Sequence, residues 1–472
     1  MWKWIGFAAV LAITLATRLY GAANESVWYD EAASVSVLDE SSLTDFLAAG
    51  RQIDALKVPL YFFIEYAWWH TVGASVFSLR LLSILISLIT TAVLYWGAMR
   101  LWGNWTAVIA SLCFALSKHF IFYGQEIRMY ALMYLLALVS WFLLHAALQH
   151  KRWAWILHAI ANLLLMQTHL LGLCNLAAQF VFLVLLDWRA VRRIVTWCAA
   201  HAIIALTVLP WLLQYKSFDR GLGWIPMPGI GTLANTFLLV YTGSTYADDY
   251  PLPIVPMWFS AVIAVPAAVL GLRALLRDKE KKATALMLLC WMVTPPALMF
   301  LASHILVPSY VDRYALYAAF PAFIFIGCGF AAMPRPARYT FCPLLIALYT
   351  FGVSQIQRPM RPDIRSAADY IRFDREPTDH LIARGMGYEL CLDVYFPNIE
   401  KAGLLQRIPT KRAIREVQRG QRTWVVIDPL HEDFARWWQP IEEAIADRTI
   451  VLEHDRVAPG PRPVRVFLLK PT

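Results

Sequence analysis
The chain has 472 residues, 59% of them hydrophobic and only 16% charged, with mean hydropathy +0.51. That balance excludes an ordinary soluble domain, which carries about a quarter charged residues. The formal charge of +9 calls for no nucleic-acid partner, because the basic cytoplasmic loops of a polytopic membrane protein supply such an excess.

In chain order, Met-Trp-Lys-Trp and an apolar run to Tyr20 predict an uncleaved first membrane span. Lys3, the apolar core and Gly21-Ala22-Ala23 also fit a cleaved signal peptide, which is the alternative. Eleven spans are predicted, at 3–22, 79–101, 105–122, 129–148, 153–168, 170–186, 194–213, 253–272, 284–306, 313–332 and 339–356, from apolar runs that suit a bilayer. Arg100, Lys151, Arg152, Arg189, Arg192, Arg193, Arg273, Arg277, Lys279, Lys281, Lys282, Arg335 and Arg338 fall in alternate short loops. The positive-inside rule makes those loops cytoplasmic, with Arg18 a mild exception near the outer end of the first span.

The first outer loop, 23–78, carries Glu25, Asp30, Glu31, Asp39, Glu40, Asp45 and Asp54. It predicts short amphipathic helices at EAASVSVL and SLTDFLAAGRQ, the second capped by Ser42 or Thr44. PLYFFIEYAWWHTVG (59–73) is too short for a span and predicts an interfacial segment, with Trp68 and Trp69 in the aromatic belt. Beyond residue 357 the composition becomes charged and proline-punctuated. It predicts helices at 363–373 (Asp363 as cap), 411–418 and 432–446, with strands at 380–384, 423–428, TIVLEH and VRVFLL. The expected fold is therefore a polytopic α-helical membrane domain, 1–357, followed by a small extracytoplasmic α/β domain, 358–472. Of the seven cysteines, only Cys391 lies outside hydrophobic segments, and no CxxC or Cys/His cluster occurs. They read as small buried hydrophobes.

Chemically capable side chains gather at the outer ends of different spans. They are Asp30 and Glu31, Lys57, then Gln125, Glu126, Arg128 and Tyr130 in YGQEIRMY, His169 in QTHLLG, and Asp312, Arg313 and Tyr314 in YVDRYALYAAFP. Ionisable groups at membrane depth are costly and mark function. Each also has a plain reading: solvated or dipole-favoured acids, a snorkelling lysine, an exposed ion pair of little worth, a hydrogen-bonded histidine. Their convergence on one side of the membrane favours a site.

In order, WYDEA, KVPLYFFIEYAWWHTVGASVFSLRLLS, YGQEIRMYAL, THLLGL and DRYALYAAFPA resemble landmarks of the C-type glycosyltransferase superfamily. The likeness is nearest the bacterial protein mannosyltransferases and aminoarabinose transferases that move sugars from polyprenyl phosphate. It spans residues 1 to about 357. Each motif alone is weak, and the five in order are fairly specific for the superfamily. The resemblance implies a membrane enzyme of the cell envelope, in the bacterial inner membrane with its site on the periplasmic or extracellular side. It implies an inverting transfer from a polyprenyl-phosphate sugar to a lipid, glycan or protein acceptor. Asp30 is then the candidate general base, with Glu31 and Glu126 as further acids. Lys57, Arg128 and Arg313 are candidate ligands of the donor phosphate. Tyr61, Gln125, Tyr130, His169, Tyr314 and, from SFDRGLGWIP, Trp224 are candidate pocket residues. The chemistry agrees: an attacking hydroxyl must lose a proton, and a phosphate leaving group needs cations more than an acid. Many relatives carry His-Pro-Pro-Leu-Tyr where this chain has Lys57-Val58-Pro59-Leu60-Tyr61. Lysine there resembles the aminoarabinose-transferase variant. No carboxylate spacing defines a metal site, which leaves the cofactor open between a divalent cation and none, the sequence itself requiring no metal.

The rival readings are a lipid or solute transporter and a non-catalytic scaffold. A transporter should show inverted repeats and spans broken near the bilayer middle. No repeat is evident, and Pro295-Pro296 is the one feature in its favour.

Overall fold
The computed structural model describes the chain apart from residues 1, 54–57, 211–212, 214–224, 243–253, 357–359, 386, 398–404, 406–408 and 459–462. Its first helices are α1 (Trp2–Leu19), α2 (Tyr29–Val35), α3 (Leu43–Ile53), α4 (Pro59–Thr71), α5 (Val76–Trp102), α6 (Asn104–Leu116), α7 (Lys118–Tyr123), α8 (Tyr130–Leu148), α9 (Arg152–Met166), α10 (Gly172–Leu186) and α11 (Val191–Leu206). The chain packs as two units, Met1–Tyr20 with Asp54–Ile356, and Gly21–Ile53 with Gln357–Thr472.

The larger unit is helical. Five stretches among the described residues are long and apolar enough to cross a membrane: Val76–Trp102, Tyr130–Leu148, Phe259–Arg277, Lys282–Ile305 and Asp312–Ala332. The protein is a multi-pass membrane protein. The other expected spans overlap α1, α6, α9, α10, α11 and the helix Arg335–Ser354. The expected span 105–122 is not one helix but divides at the extended Ser117 into α6 and α7, and α6, α9 and α10 are apolar but shorter than a span. Pro295 and Pro296 lie inside one continuous helix, Lys282–Ile305, so the broken span expected of a transporter does not form there.

The helix Phe320–Ala332 is buried from Phe320 to Phe330. A Cβ added at Gly329 would stand 1.8 Å from the Ala267 carbonyl oxygen, and one at Gly271 2.0 Å from that of Phe325. Small residues thus let this helix touch the helix Ile254–Arg277 backbone to backbone, the usual way helices associate in lipid. Gly329→Val is expected to force the pair apart at a cost of about 1–3 kcal/mol or more, read as a lower Tm in detergent.

Four further helices are tied by a buried polar network. The Asn162 amide donates its two hydrogens to Nε2 of His201 (2.9 Å) and Oε1 of Gln179 (3.0 Å), while the Trp197 indole N–H donates to Nε2 of His158 (3.1 Å). Each imidazole faces a carbonyl with Nδ1, His158 that of Ser140 (2.9 Å) and His201 that of Trp197 (2.8 Å). Both rings therefore carry their proton on Nδ1 and accept at Nε2. Arg18 is fully buried and donates to the carbonyls of Phe114 (3.0 Å) and Ala115. It caps the C-terminus of α6, where the helix dipole favours a cation. Its departure from the charge rule is thus a packing role.

The smaller unit holds a four-stranded sheet of β1 (His380–Arg384), β2 (Thr423–Ile427), β3 (Ile450–Ala458) and β4 (Val464–Pro471), in the order β1-β2-β4-β3. β1 and β2 are parallel and the other pairings antiparallel. β2 is buried along its whole length. Ile414, Val417, Ile441 and Ala444 pack on Val425, Ile427, Phe467 and Leu469. The helix Ile364–Asp374 starts at Asp363, whose carboxylate accepts the Ser366 N–H at 3.1 Å. Tyr388–Tyr395 is a further helix that the sequence did not predict. Ser42, not Thr44, caps α3 by accepting the Asp45 N–H at 3.1 Å.

The sequence expectation placed 23–78 with the membrane domain. Residues 21–53 instead pack with 357–472. The cause is a set of buried polar links. The Glu25 carboxylate accepts the Met360 N–H at 2.8 Å, and the Tyr395 hydroxyl accepts the Val27 N–H at 2.7 Å. The Arg361 guanidinium lies 3.6 Å from Glu31 and 4.0 Å from Glu25.

Candidate active site
In the helical unit, the segment between α7 and α8 and the start of α4 build one cluster. The chain enters α4 at Pro59, pre-organised for a first helical turn, and the Leu60 N–H donates to Gln167 O at 3.0 Å. This joins α4 to the short connection carrying His169. Tyr61 is fully buried. Ser83 Oγ donates to Glu126 O at 2.5 Å, so the Tyr61 hydroxyl, 3.2 Å from Ser83 Oγ, is the donor of that pair. The charges of Glu65, Glu126 and Arg128 lie within electrostatic reach of the Tyr61 hydroxyl. Glu126, Arg128 and Tyr130 are all buried.

Arg313 lies at the start of the stretch Asp312–Ala332. Its Nε donates to the Tyr130 hydroxyl at 3.1 Å, and its carbonyl accepts the Tyr134 hydroxyl at 2.9 Å. Its N–H donates to the Asp312 carboxylate at 2.7 Å, and that carboxylate lies 3.6 Å from His119 Nε2. The guanidinium carbon is 5.9 Å from the Tyr130 ring centre and 5.3 Å from that of Tyr314, within cation–π range. The His169 ring lies 4.9 Å from Tyr314 and 6.3 Å from Tyr130. Burial first, and then the Arg128 and Arg313 charges, pull its pKa from 6.5 down to about 3. Desolvation and like charge both disfavour an imidazolium.

The structure therefore brings together Tyr61, Glu126, Arg128, Tyr130, His169, Arg313 and Tyr314. Gln125 is used differently: its amide donates to the carbonyls of Arg18 (2.5 Å) and Tyr20 (3.0 Å), closing the end of α1. Lys57 and Trp224 lie outside the described residues. Trp68 donates its indole N–H to Ser78 O at 3.0 Å, holding α4 to α5.

In the smaller unit, the opening turn of α2 carries both loop acids. Asp30 is half-buried, whereas Glu31 is fully buried beside Arg361. Tyr29 packs where a Cβ on Gly387 would stand, 1.9 Å from its ring, and Gly387 has φ +68°. Only glycine suits both the close approach and that backbone. The Cys391 thiol is pushed up by burial, then by the charges of Glu31, Glu389 and Asp30, so it stays protonated.

Sequence reasoning missed Glu65, Arg80, His119, Glu25 and Arg361, all buried. Glu65 and Arg80 had a signal, each a lone charge in an apolar run. Arg361 had none, because its partners are hundreds of residues away.

Residues 56–213 match the family model described as dolichyl-phosphate-mannose-protein mannosyltransferase. No curated protein matches the chain. Among solved structures, ArnT from Cupriavidus metallidurans in the apo state aligns with TM-score 0.59 at 13% identity, over 99% of this chain and 97% of that one. The same protein bound to undecaprenyl phosphate gives 0.58 at 13%, over 99% and 98%. An Archaeoglobus fulgidus oligosaccharyltransferase in complex with Zn and sulfate gives 0.51 at 11%, over 96% of this chain and 71% of that one. At such identities the structural likeness is one of fold. The match over residues 56–213 and the fold shared across nearly the whole chain make this protein a membrane glycosyltransferase of the C-type fold, resembling the polyprenyl-phosphate-dependent mannosyl- and aminoarabinose-transferases.

Proposed function
We propose that the protein moves a sugar from a polyprenyl-phosphate donor to an acceptor at the outer face of a bacterial cytoplasmic membrane, inverting the anomeric centre. The observation that carries this reading is the group of buried Arg128, Tyr130 and His169 with half-buried Arg313 in the helical unit. Two guanidiniums in a low-dielectric wall suit a phosphate far better than a neutral solute. The family match supports the donor class, and the undecaprenyl phosphate bound to the ArnT neighbour supports the lipid. Eleven crossings from a cytoplasmic N-terminus would put Asp30 and residues 358–472 outside. The acceptor class, lipid, glycan or protein, stays open on this reading.

In the reaction the acceptor oxygen bonds to the anomeric carbon as the carbon–oxygen bond to phosphate breaks. Asp30 takes the acceptor's proton, and polyprenyl phosphate leaves with its charge held by Arg128 and Arg313. Lys57 is assigned to the same phosphate from its sequence context. Glu31 is the buried partner of Arg361, and half-buried Asp30 is assigned as the catalytic acid from its sequence motif. Glu126 orients Arg128 on this reading.

Mass spectrometry of lipid retained by the purified full chain tests the donor class. Selective retention of undecaprenyl phosphate over phospholipid is expected, and indiscriminate retention would move the weight to a transporter. Asp30→Asn is expected to keep that retention while losing transfer by about 10²–10⁴-fold, the usual worth of general-base catalysis. Full activity in that variant would remove the assignment.

A further inference from the structure
The geometry points to His169 as a third, uncharged ligand of the donor phosphate, giving Nε2–H as a hydrogen-bond donor beside Arg128 and Arg313. This rests on the donor reading above.

The connection carrying His169 is fixed at both ends. Gln167 O accepts the Leu60 N–H at 3.0 Å, and Leu171 O accepts the Tyr317 hydroxyl at 3.2 Å. The Thr168 hydroxyl donates to Leu164 O at 2.7 Å. Within this frame His169 Nδ1 accepts the Leu171 N–H at 3.2 Å. A nitrogen that accepts carries no proton, so the neutral ring keeps its proton on Nε2. Nε2 has no hydrogen-bond partner among the described residues, although His169 is only 8% exposed. Nε2 is not among the side-chain atoms that are both buried and unpaired, so it keeps an opening through which a ligand can accept its hydrogen.

The surroundings name the ligand's charge. The groups that act on the ring are Arg128 and Arg313, both cationic, with the rings of Tyr130 and Tyr314 alongside. Against two guanidiniums the imidazole stays neutral, with its pKa lowered to about 3 by burial and then by those charges. The stability gained by keeping it neutral is full above its ordinary 6.5 and falls away as pH drops from there towards 3. With Nδ1 engaged and Nε2 already protonated, His169 cannot serve as the base. Two cations acting on one neutral donor suit an anion with several acceptor oxygens, a phosphate.

The test uses full-length protein in nanodiscs, with undecaprenyl phosphate as probe and inorganic phosphate in parallel. His169→Gln keeps a neutral N–H donor and is expected to bind the lipid within about 3-fold of wild type. His169→Leu is expected to bind more than about 10-fold more weakly, the worth of one hydrogen bond to a charged group. Tm is measured for both variants, so that a folding loss shows in Tm while the Gln variant reports on the hydrogen bond alone. Wild type and His169→Gln should share one pH curve between pH 5 and 8. Equal binding by the Leu variant, or a limb near pH 6.5 lost in His169→Gln, would overturn the assignment while leaving the donor reading intact. Inorganic phosphate binding as tightly, with the same dependence on His169, would support the ligand set and move its source to free phosphate. Binding of neither probe by wild type would sink the donor reading itself.

Discussion
Arg313→Ala is expected to cut sugar transfer on the order of 10²–10³-fold, as loss of one preorganised electrostatic donor does. It should also abolish selective retention of undecaprenyl phosphate. The arginine is held from several directions: Nε on the Tyr130 hydroxyl at 3.1 Å, its carbonyl under Tyr134 at 2.9 Å and its N–H on Asp312 at 2.7 Å. A fixed planar cation costs no reorganisation when the leaving phosphate gains charge. Arg313→Lys should fall nearly as far, because an ammonium cannot keep the Nε contact while reaching a phosphate. Arg313 is only half-buried, so Tm should move little in either variant. Steady-state transfer rates with Tm on the same preparations decide it. Wild-type turnover in Arg313→Lys would mean that the residue acts as a general charge and not as an oriented fork.

The second large effect falls on stability. Arg361→Met should destabilise the smaller unit by about 3–5 kcal/mol, the usual cost of leaving buried charge uncompensated. Arg361 is 1% exposed and lies between Glu31, fully buried, and Glu25, 3% exposed. Removing the cation strands two carboxylates together. Combining Arg361→Met with Glu25→Gln and Glu31→Gln should recover much of the loss, since a neutral set carries no desolvated charge. Asp30→Asn, at a half-buried position, should leave Tm unchanged. Denaturant unfolding of the four proteins separates the outcomes. A milder effect from Arg361→Met than from Asp30→Asn would contradict the division of labour between the two adjacent acids.

What the sequence determined by itself was local. Apolar runs place α1, α5, α6 and α8 to α11, because helix in lipid needs only unbroken hydrophobicity and satisfied backbone. Caps were equally legible, since Asp363 and Ser42 act on N–H groups three residues on. The strands β1, β2 and β4 showed as short β-rich runs bounded by turn residues. The lone charges and motif order marked the residues of the candidate site.

The tertiary structure decided how those residues are used. Glu31 and Asp30 are indistinguishable as neighbours in sequence. Only the arrival of Arg361 makes one a buried partner and leaves the other accessible. Gln125 looked like a pocket residue until the end of α1 supplied carbonyls for its amide. Arg18 looked like a topological exception until α6 supplied the carbonyls that it caps. The tautomer of His169 follows from one backbone N–H two residues on, but its neutrality follows from Arg128 and Arg313 in other parts of the chain. The packing of residues 21–53 with 357–472 has the same origin. Burial of charge is settled by whichever distant group can compensate it, and no local pattern encodes that group.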